Sequence, residues 1–141
     1  MAGSLAGADS WFANPASQVS AHFGVGVDGT VHQYVRLATS AWANGIKEPG
    51  HRWPWDGNPN SVTVSIETED FGNGLQPVTD SQYAAVLGVC RMVLAEYPGI
   101  THIATHASIS PQSRPHCPGN RWIASGRFHQ LAETLGLTAL V

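Results

Sequence analysis

The sequence predicts an α/β domain with a central mixed β-sheet flanked by helices, on three observations. Residues 19–33 read as strand, turn and strand around Asp28-Gly29, residues 61–68 alternate apolar and polar side chains, and residues 79–97 carry apolar positions at helical spacing. Strands interleaved with helices bury their apolar faces as a sheet covered by helices. The 141 residues are 43% hydrophobic and only 12% charged, which suits one packed domain over 1–141 and excludes general disorder.

Residues 1–14 predict a short helix, with Ser4 as cap, Pro15 as stop, and Leu5, Trp11 and Phe12 as packing residues. Asp28-Gly29 between β-branched runs is a strong hairpin signal. Residues 34–60 hold Trp42, Trp53 and Trp55 among Gly, Pro and Asn without sustained periodicity, a long loop of the kind that carries function. In residues 61–68, Val62, Val64 and Ile66 share the expected core face, and Thr63, Ser65 and Glu67 the polar one. Thr79-Asp80-Ser81-Gln82 is a capping box ahead of Tyr83, Val86, Leu87, Cys90, Val93, Leu94 and Tyr97. Pro98-Gly99 stops that helix, residues 100–105 form a short strand, residues 108–120 a loop, and residues 121–135 a second helix through Phe128, Leu131 and Leu135.

A net charge of −3 with seven Lys plus Arg gives no electrostatic footprint for nucleic acid. No apolar run approaches the roughly 20 residues of a membrane helix, and no basic-then-apolar signal opens the chain. Two cysteines are too few for a disulfide framework, whereas seven histidines direct attention to metal or acid–base chemistry.

The densest cluster of reactive groups runs from Thr105-His106 to His116-Cys117-Pro118-Gly119. An imidazole at a strand end and a thiolate beyond a modest loop suit one ion, with zinc the natural candidate. The plainer alternative is a strand-capping His106 and a buried Cys117 thiol. His102 shares the His106 face of the strand and lines the same groove. Glu67 is a carboxylate near the middle of a strand, where Glu is depleted, and so reads either as a working acid or as an exposed or ion-paired residue. Glu69 and Asp70 read as solvated, Cys90 as a small core residue, and His32, His51 and His129 as surface or packing histidines. No G-x-S-x-G elbow, P-loop or dinucleotide fingerprint is present.

The strings Gln18-Val19-Ser20-Ala21-His22-Phe23, Asp28-Gly29-Thr30-Val31-His32-Gln33-Tyr34-Val35, Ala41-Trp42 and Thr63-Val64-Ser65-Ile66-Glu67, then His106 and Cys117-Pro118-Gly119, stand in an order that spans nearly the whole chain. Together they resemble the zinc-dependent N-acetylmuramoyl-L-alanine amidases, the amidase-2 or peptidoglycan-recognition-protein-like family of phage endolysins and bacterial wall hydrolases. The resemblance implies a hydrolase acting on bacterial peptidoglycan, at the amide between the lactyl group of N-acetylmuramic acid and L-alanine. It makes His106 and Cys117 two of three Zn2+ ligands and Glu67 the acid working with an activated water, and it places Trp42, Arg114 and His116 in substrate binding.

Three departures accompany it. No His precedes His22, so the family's first ligand is absent, and His22 matches a non-ligating position. Pro115 stands where many relatives carry an oxyanion-stabilising Lys or Thr, leaving Arg114 or His116 to serve, and Ala43 replaces the His of Ala-Trp-His. The expectation is a chain starting at an internal Met, lacking the first strand of the sheet and holding zinc weakly. The exposed sheet edge would invite a dimer. Cytoplasmic accumulation followed by release, as for a phage lysin, or secretion is the expected setting. The competing functions are a peptidoglycan-binding module of the same fold that does not hydrolyse, and a Cys-His hydrolase with Cys117 as nucleophile.

Overall fold

Ser4 sets where the chain first coils: its Oγ accepts the Gly7 N–H (3.1 Å), starting helix α1 at Leu5–Ala13. The computed structural model describes residues 3–71 and 74–141. Leu5 and Ala8 face inward as the helix period requires, while Trp11, expected to pack, is 55% exposed. Phe12 meets the Tyr34 ring edge to face at 5.0 Å.

The Asp28-Gly29 signal delivers its hairpin. Strands β1 (Phe23–Val25) and β2 (Val31–Gln33) pair antiparallel, with Gly24 opposite His32, and Asp28 Oδ1 accepts the Thr30 N–H inside the turn. Strand β3 (Ile66–Thr68) joins the other edge of β1 in parallel, with Glu67 opposite Gly24. It is shorter than the alternation predicts. Residues Pro59–Ser61 form a 3-10 turn, and Val62, expected in the core, is 65% exposed. Thr63 Oγ1 is spent on the Pro59 carbonyl (2.9 Å) and the Asn44 amide (2.8 Å), local bonds that hold residues 61–64 out of a ladder.

Helix α2 (Asp80–Glu96) begins at Thr79, whose Oγ1 accepts the Gln82 N–H. The reciprocal half of the capping box is not made. Gln82 turns inward instead and donates to the carbonyls of Val25 (3.3 Å) and Glu69 (3.0 Å), tying α2 to the sheet. Tyr83, Val86, Val89, Cys90 and Val93 of α2 pack on Phe23 and Val25 of β1 and on Trp122, Phe128 and Leu131.

Strand β4 (His102–Ala104) follows, and the expected C-terminal helix is divided into α3 (Asn120–Ala124) and α4 (Arg127–Leu135). The break is Gly126, whose φ of 76° no helix interior tolerates. A strand that periodicity did not reveal, β5 (Thr138–Leu140), then pairs parallel with β4. The described strands therefore form two sheets flanked by helices, a mixed one of order β2-β1-β3 and a parallel pair β4-β5. Between the two sheets lies a cavity of about 750 Å³, bordered by residues 62–68 on one side and 99–106 on the other.

Candidate active site

Three of the residues singled out from sequence meet at that cavity. Glu67 comes from β3, His106 from the turn after β4, and Cys117 from the following loop, and all three line the same wall space. Each is placed by a local device. Glu67 sits opposite Gly24, whose lack of a side chain lets Tyr34 and Leu5 close in beside the strand: a Cβ on Gly24 would lie 2.6 Å from Tyr34 Oη and 2.8 Å from Leu5 Cδ1. Tyr34 is itself fixed, because its hydroxyl donates to Asp9 Oδ1 (2.7 Å), which also meets His32 Nδ1 (2.9 Å). The His32 and Tyr34 contacts hold the Asp9 carboxyl below its ordinary value, and burial, with Asp9 next, raises the Tyr34 hydroxyl.

His106 opens a 3-10 turn, His106–Ser108, capped by Thr105, whose Oγ1 accepts the Ser108 N–H. Its carbonyl accepts from Ile109 and Ser110, and the neighbouring Ala107 N–H donates to the Cys117 carbonyl (3.2 Å), which latches the Cys117 loop to the turn. The Glu48 carboxylate anchors the same loop by accepting the Gln112 and Ser113 N–H groups at 2.7 and 2.9 Å. His106 Nε2 lies 3.3 Å from the Asn44 carbonyl, which, with Nε2 donating, leaves the lone pair of the neutral ring on Nδ1. Burial is the main reason the His106 pKa falls and the Cys117 pKa rises, and Glu67 is the next cause for the thiol.

An imidazole and a thiol are the donor types zinc prefers, and a histidine whose far nitrogen meets a backbone carbonyl is the usual supported ligand. The pair fits zinc in chemistry and falls short in number. Among the described residues no group of three His, Cys, Asp or Glu side chains is arranged to hold a metal.

The other sequence-predicted binding residues lie elsewhere. Trp42 is 62% exposed and held through its backbone N–H by Ser20 Oγ; Arg114 reaches the Ser113 carbonyl; His116 is exposed; none of the three borders the cavity. His22 is fully buried at the junction of β1, β3 and the long loop. Its Nδ1 accepts the Ser65 N–H (3.1 Å) and its Nε2 donates to the Thr39 carbonyl (2.9 Å), which defines a neutral structural imidazole outside the cavity. Glu69, read as solvated, is half-buried and accepts the Leu5 and Val27 N–H groups at 3.0 and 2.9 Å, clamping α1 to the hairpin. Asn44, Trp53 and Trp55 line the cavity from the aperiodic loop; the two tryptophans stand out in the sequence as aromatic residues of that loop, whereas nothing there marks Asn44.

Residues 1–120 match the Amidase_2 family, described as N-acetylmuramoyl-L-alanine amidase. The 1,6-anhydro-N-acetylmuramyl-L-alanine amidase AmpD of Haemophilus influenzae is 32% identical over 99 residues, covering 69% of this chain and 50% of its own length. AmpD of Enterobacter cloacae is 32% identical over 108 residues, covering 76% and 54%. The chain thus spans about half the length of the curated relatives it matches. The crystal structure of a selenomethionine AmpD derivative superimposes with a TM-score of 0.71 at 28% identity, over 88% of this chain and 73% of that one. The Escherichia coli amidase AmiD, in complex with its substrate anhydro-N-acetylmuramic acid-L-Ala-D-γ-Glu-L-Lys, shares the fold with a TM-score of 0.78 at 24% identity, over 98% and 55%.

Proposed function

The chain belongs to the N-acetylmuramoyl-L-alanine amidase family, and from that membership we propose that it is a peptidoglycan hydrolase. Its reaction is cleavage of the amide joining the lactyl group of N-acetylmuramic acid to L-alanine. The observation that carries this reading is the convergence of Glu67, His106 and Cys117 on one cavity from three separate segments. We infer a single catalytic domain over residues 1–141.

In this reading His106 and Cys117 would hold Zn2+, which would supply Lewis acidity that polarises a carbonyl and acidifies water. Glu67 takes a proton from the attacking water as its oxygen bonds the lactyl carbonyl carbon. It returns that proton to the L-alanine nitrogen as the C–N bond breaks. Asn44 orients the imidazole, Glu48 keeps the Cys117 loop in place, and the buried surroundings of the cavity strengthen each electrostatic contact. Arg114 and His116 stand on the loop that carries Cys117 but outside the cavity wall, so serving a developing oxyanion requires that loop to turn them inward, and Trp42 offers an exposed ring to sugar or peptide. Pairing through an open sheet edge is the dimer we infer, β2 and β5 being the edges turned away from the cavity.

A second reading is favoured by one observation, the lack of a third metal ligand among the described residues. In it the same cavity binds muramyl peptide without cutting it. Hydrolysis of a muramyl peptide assayed against added zinc decides between them. The amidase reading expects metal-dependent release of peptide and its loss in Glu67→Gln. Binding without release at saturating zinc establishes the second reading. A wall-lytic role of the phage-lysin kind is tested by turbidity loss of purified cell walls.

A further inference from the structure

Gly24 leaves a gap in the sheet face that carries Glu67, and a cluster of polar side chains closes over it. Gly24 of β1 is paired with His32 of β2 on one side and with Glu67 of β3 on the other, and laterally paired residues send their side chains to the same face. His32, the Gly24 gap and Glu67 therefore form one row across the sheet. Tyr34 reaches into the gap, its Oη 2.6 Å from where a Gly24 Cβ would stand. Helix α1 lies over the row, with Leu5, Asp9 and Phe12 recurring at helical spacing on one face. Leu5 covers the same gap, Phe12 meets the Tyr34 ring, and Asp9 Oδ1 accepts the Tyr34 hydroxyl at 2.7 Å and meets His32 Nδ1 at 2.9 Å.

Paired side chains on neighbouring strands stand about 5 Å apart at Cβ, a span that a glutamate side chain covers, so the Tyr34 hydroxyl lies within reach of two carboxylates, Asp9 and Glu67. The Glu67 charge is felt there: after burial and Asp9, it is a further reason that the Tyr34 hydroxyl resists ionisation. A phenol has one proton to donate. Given to Asp9, that proton leaves only oxygen lone pairs toward Glu67, which neither draw its carboxylate into the gap nor weaken it as a base. Given to Glu67, it would do both, because a hydrogen bond to the charged form favours that form. We propose that Asp9 and Tyr34 are positioning residues for the reaction: Asp9 takes the Tyr34 proton and so keeps the Glu67 carboxylate turned to the cavity and able to accept a proton from water. Neither residue borders the cavity, so both act through Glu67. This rests on the amidase reading for the task of Glu67, and on the row of side chains for the contact.

The test uses the whole chain labelled with 13C-tyrosine, whose three Cζ resonances are assigned with single Tyr→Phe variants. Glu67→Gln removes the charge and should move the Tyr34 resonance while leaving those of Tyr83 and Tyr97 in place. An unmoved Tyr34 resonance overturns the proposal whether or not the chain cleaves muramyl peptide. Cleavage of a muramyl peptide at saturating zinc then reads the task. Asp9→Ala should lower kcat about tenfold with KM unchanged, because the released Tyr34 proton now bonds the charged Glu67. Asp9→Asn keeps an acceptor oxygen and should lose less. Adding Tyr34→Phe to Asp9→Ala removes the proton that Asp9 no longer holds, so the double variant should cleave faster than Asp9→Ala alone. Should Asp9→Ala not fold, Asp9→Asn with and without Tyr34→Phe carries the same comparison. Losses that add in the double variant, or a raised KM with kcat retained, are what a merely structural contact gives, and either overturns the proposal. Cleavage with an unmoved resonance spares the amidase reading, whereas a moved resonance without cleavage by the parent removes that reading, and the pair's task with it, and leaves the contact standing.

Discussion

Gly24→Ala tests the packing that presents Glu67. The new methyl group would lie 2.6 Å from Tyr34 Oη, 2.9 Å from Tyr34 Cε2 and 2.8 Å from Leu5 Cδ1, against an ordinary contact of 3.4 Å or more, so about 0.8 Å of overlap must be relieved. Neither neighbour yields freely. Tyr34 is held by Asp9 and braced by Phe12, and Leu5 is buried in the first turn of α1 beneath the Glu69 clamp. Overpacking of this kind costs about 1–3 kcal/mol, which outweighs the roughly 0.5–1 kcal/mol that replacing a strand glycine returns. The expected outcome is a loss of about 1–2 kcal/mol in urea unfolding, or a fall of about 3–7 °C in Tm for a domain of this size. In a Tyr34→Phe background, which lacks the nearest atom, the same substitution should cost less, with a coupling above about 0.5 kcal/mol. A Gly24→Ala protein as stable as the parent would refute the packing argument.

Gly88→Ala makes the opposite prediction: the position is exposed within α2 with nothing inside 4 Å of a new Cβ, so stability should rise by about 0.5–1 kcal/mol in the same melts. Burial lowers the His22 pKa below 6.5, with the Thr39 contact opposing it in part, so the unfolded chain binds the proton more readily. Stability is then full above about pH 6.5 and declines as pH falls toward the folded value, by at most about 1.4 kcal/mol per unit from this group. Urea midpoints between pH 7.5 and 5 should fall more steeply for the parent than for His22→Gln, and equal slopes would defeat the assignment. Burial pushes the Cys90 thiol up to about 11, so alkylation at pH 8, followed by mass spectrometry, should label it only at the rate of global unfolding. Fast labelling of Cys90 in the native protein would contradict its core placement.

Signals confined to a few adjacent residues were legible in the sequence. The Ser4 and Thr79 caps, the Asp28-Gly29 turn and the apolar stripe of α2 all appear where local chemistry places them. Signals that depend on tertiary partners were not. Val62 alternates correctly and is nonetheless exposed, because Thr63 is claimed by Pro59 and Asn44. Gln82 reads as half of a capping box but is worth more to the fold bonded to Val25 and Glu69 in the interior. Strand β5 is too short for periodicity to show and exists because β4 offers it an edge. At the site, Glu67, His106 and Cys117 could be picked out by residue type and motif. Asn44 could not, since a loop without period carries no sign of which side chain turns inward, and of the loop's three tryptophans Trp53 and Trp55 reach the cavity while Trp42 does not.

The central claim is most directly tested by identifying the bond that is cut. The protein is incubated with N-acetylmuramyl-L-Ala-D-γ-Glu-L-Lys at saturating zinc, and the products are read by mass spectrometry with amine labelling. The expected products are free N-acetylmuramic acid and a tripeptide with a new α-amino group on L-alanine, both absent with Glu67→Gln. Intact substrate after prolonged incubation, cleavage at another bond, or equal cleavage by Glu67→Gln would contradict it.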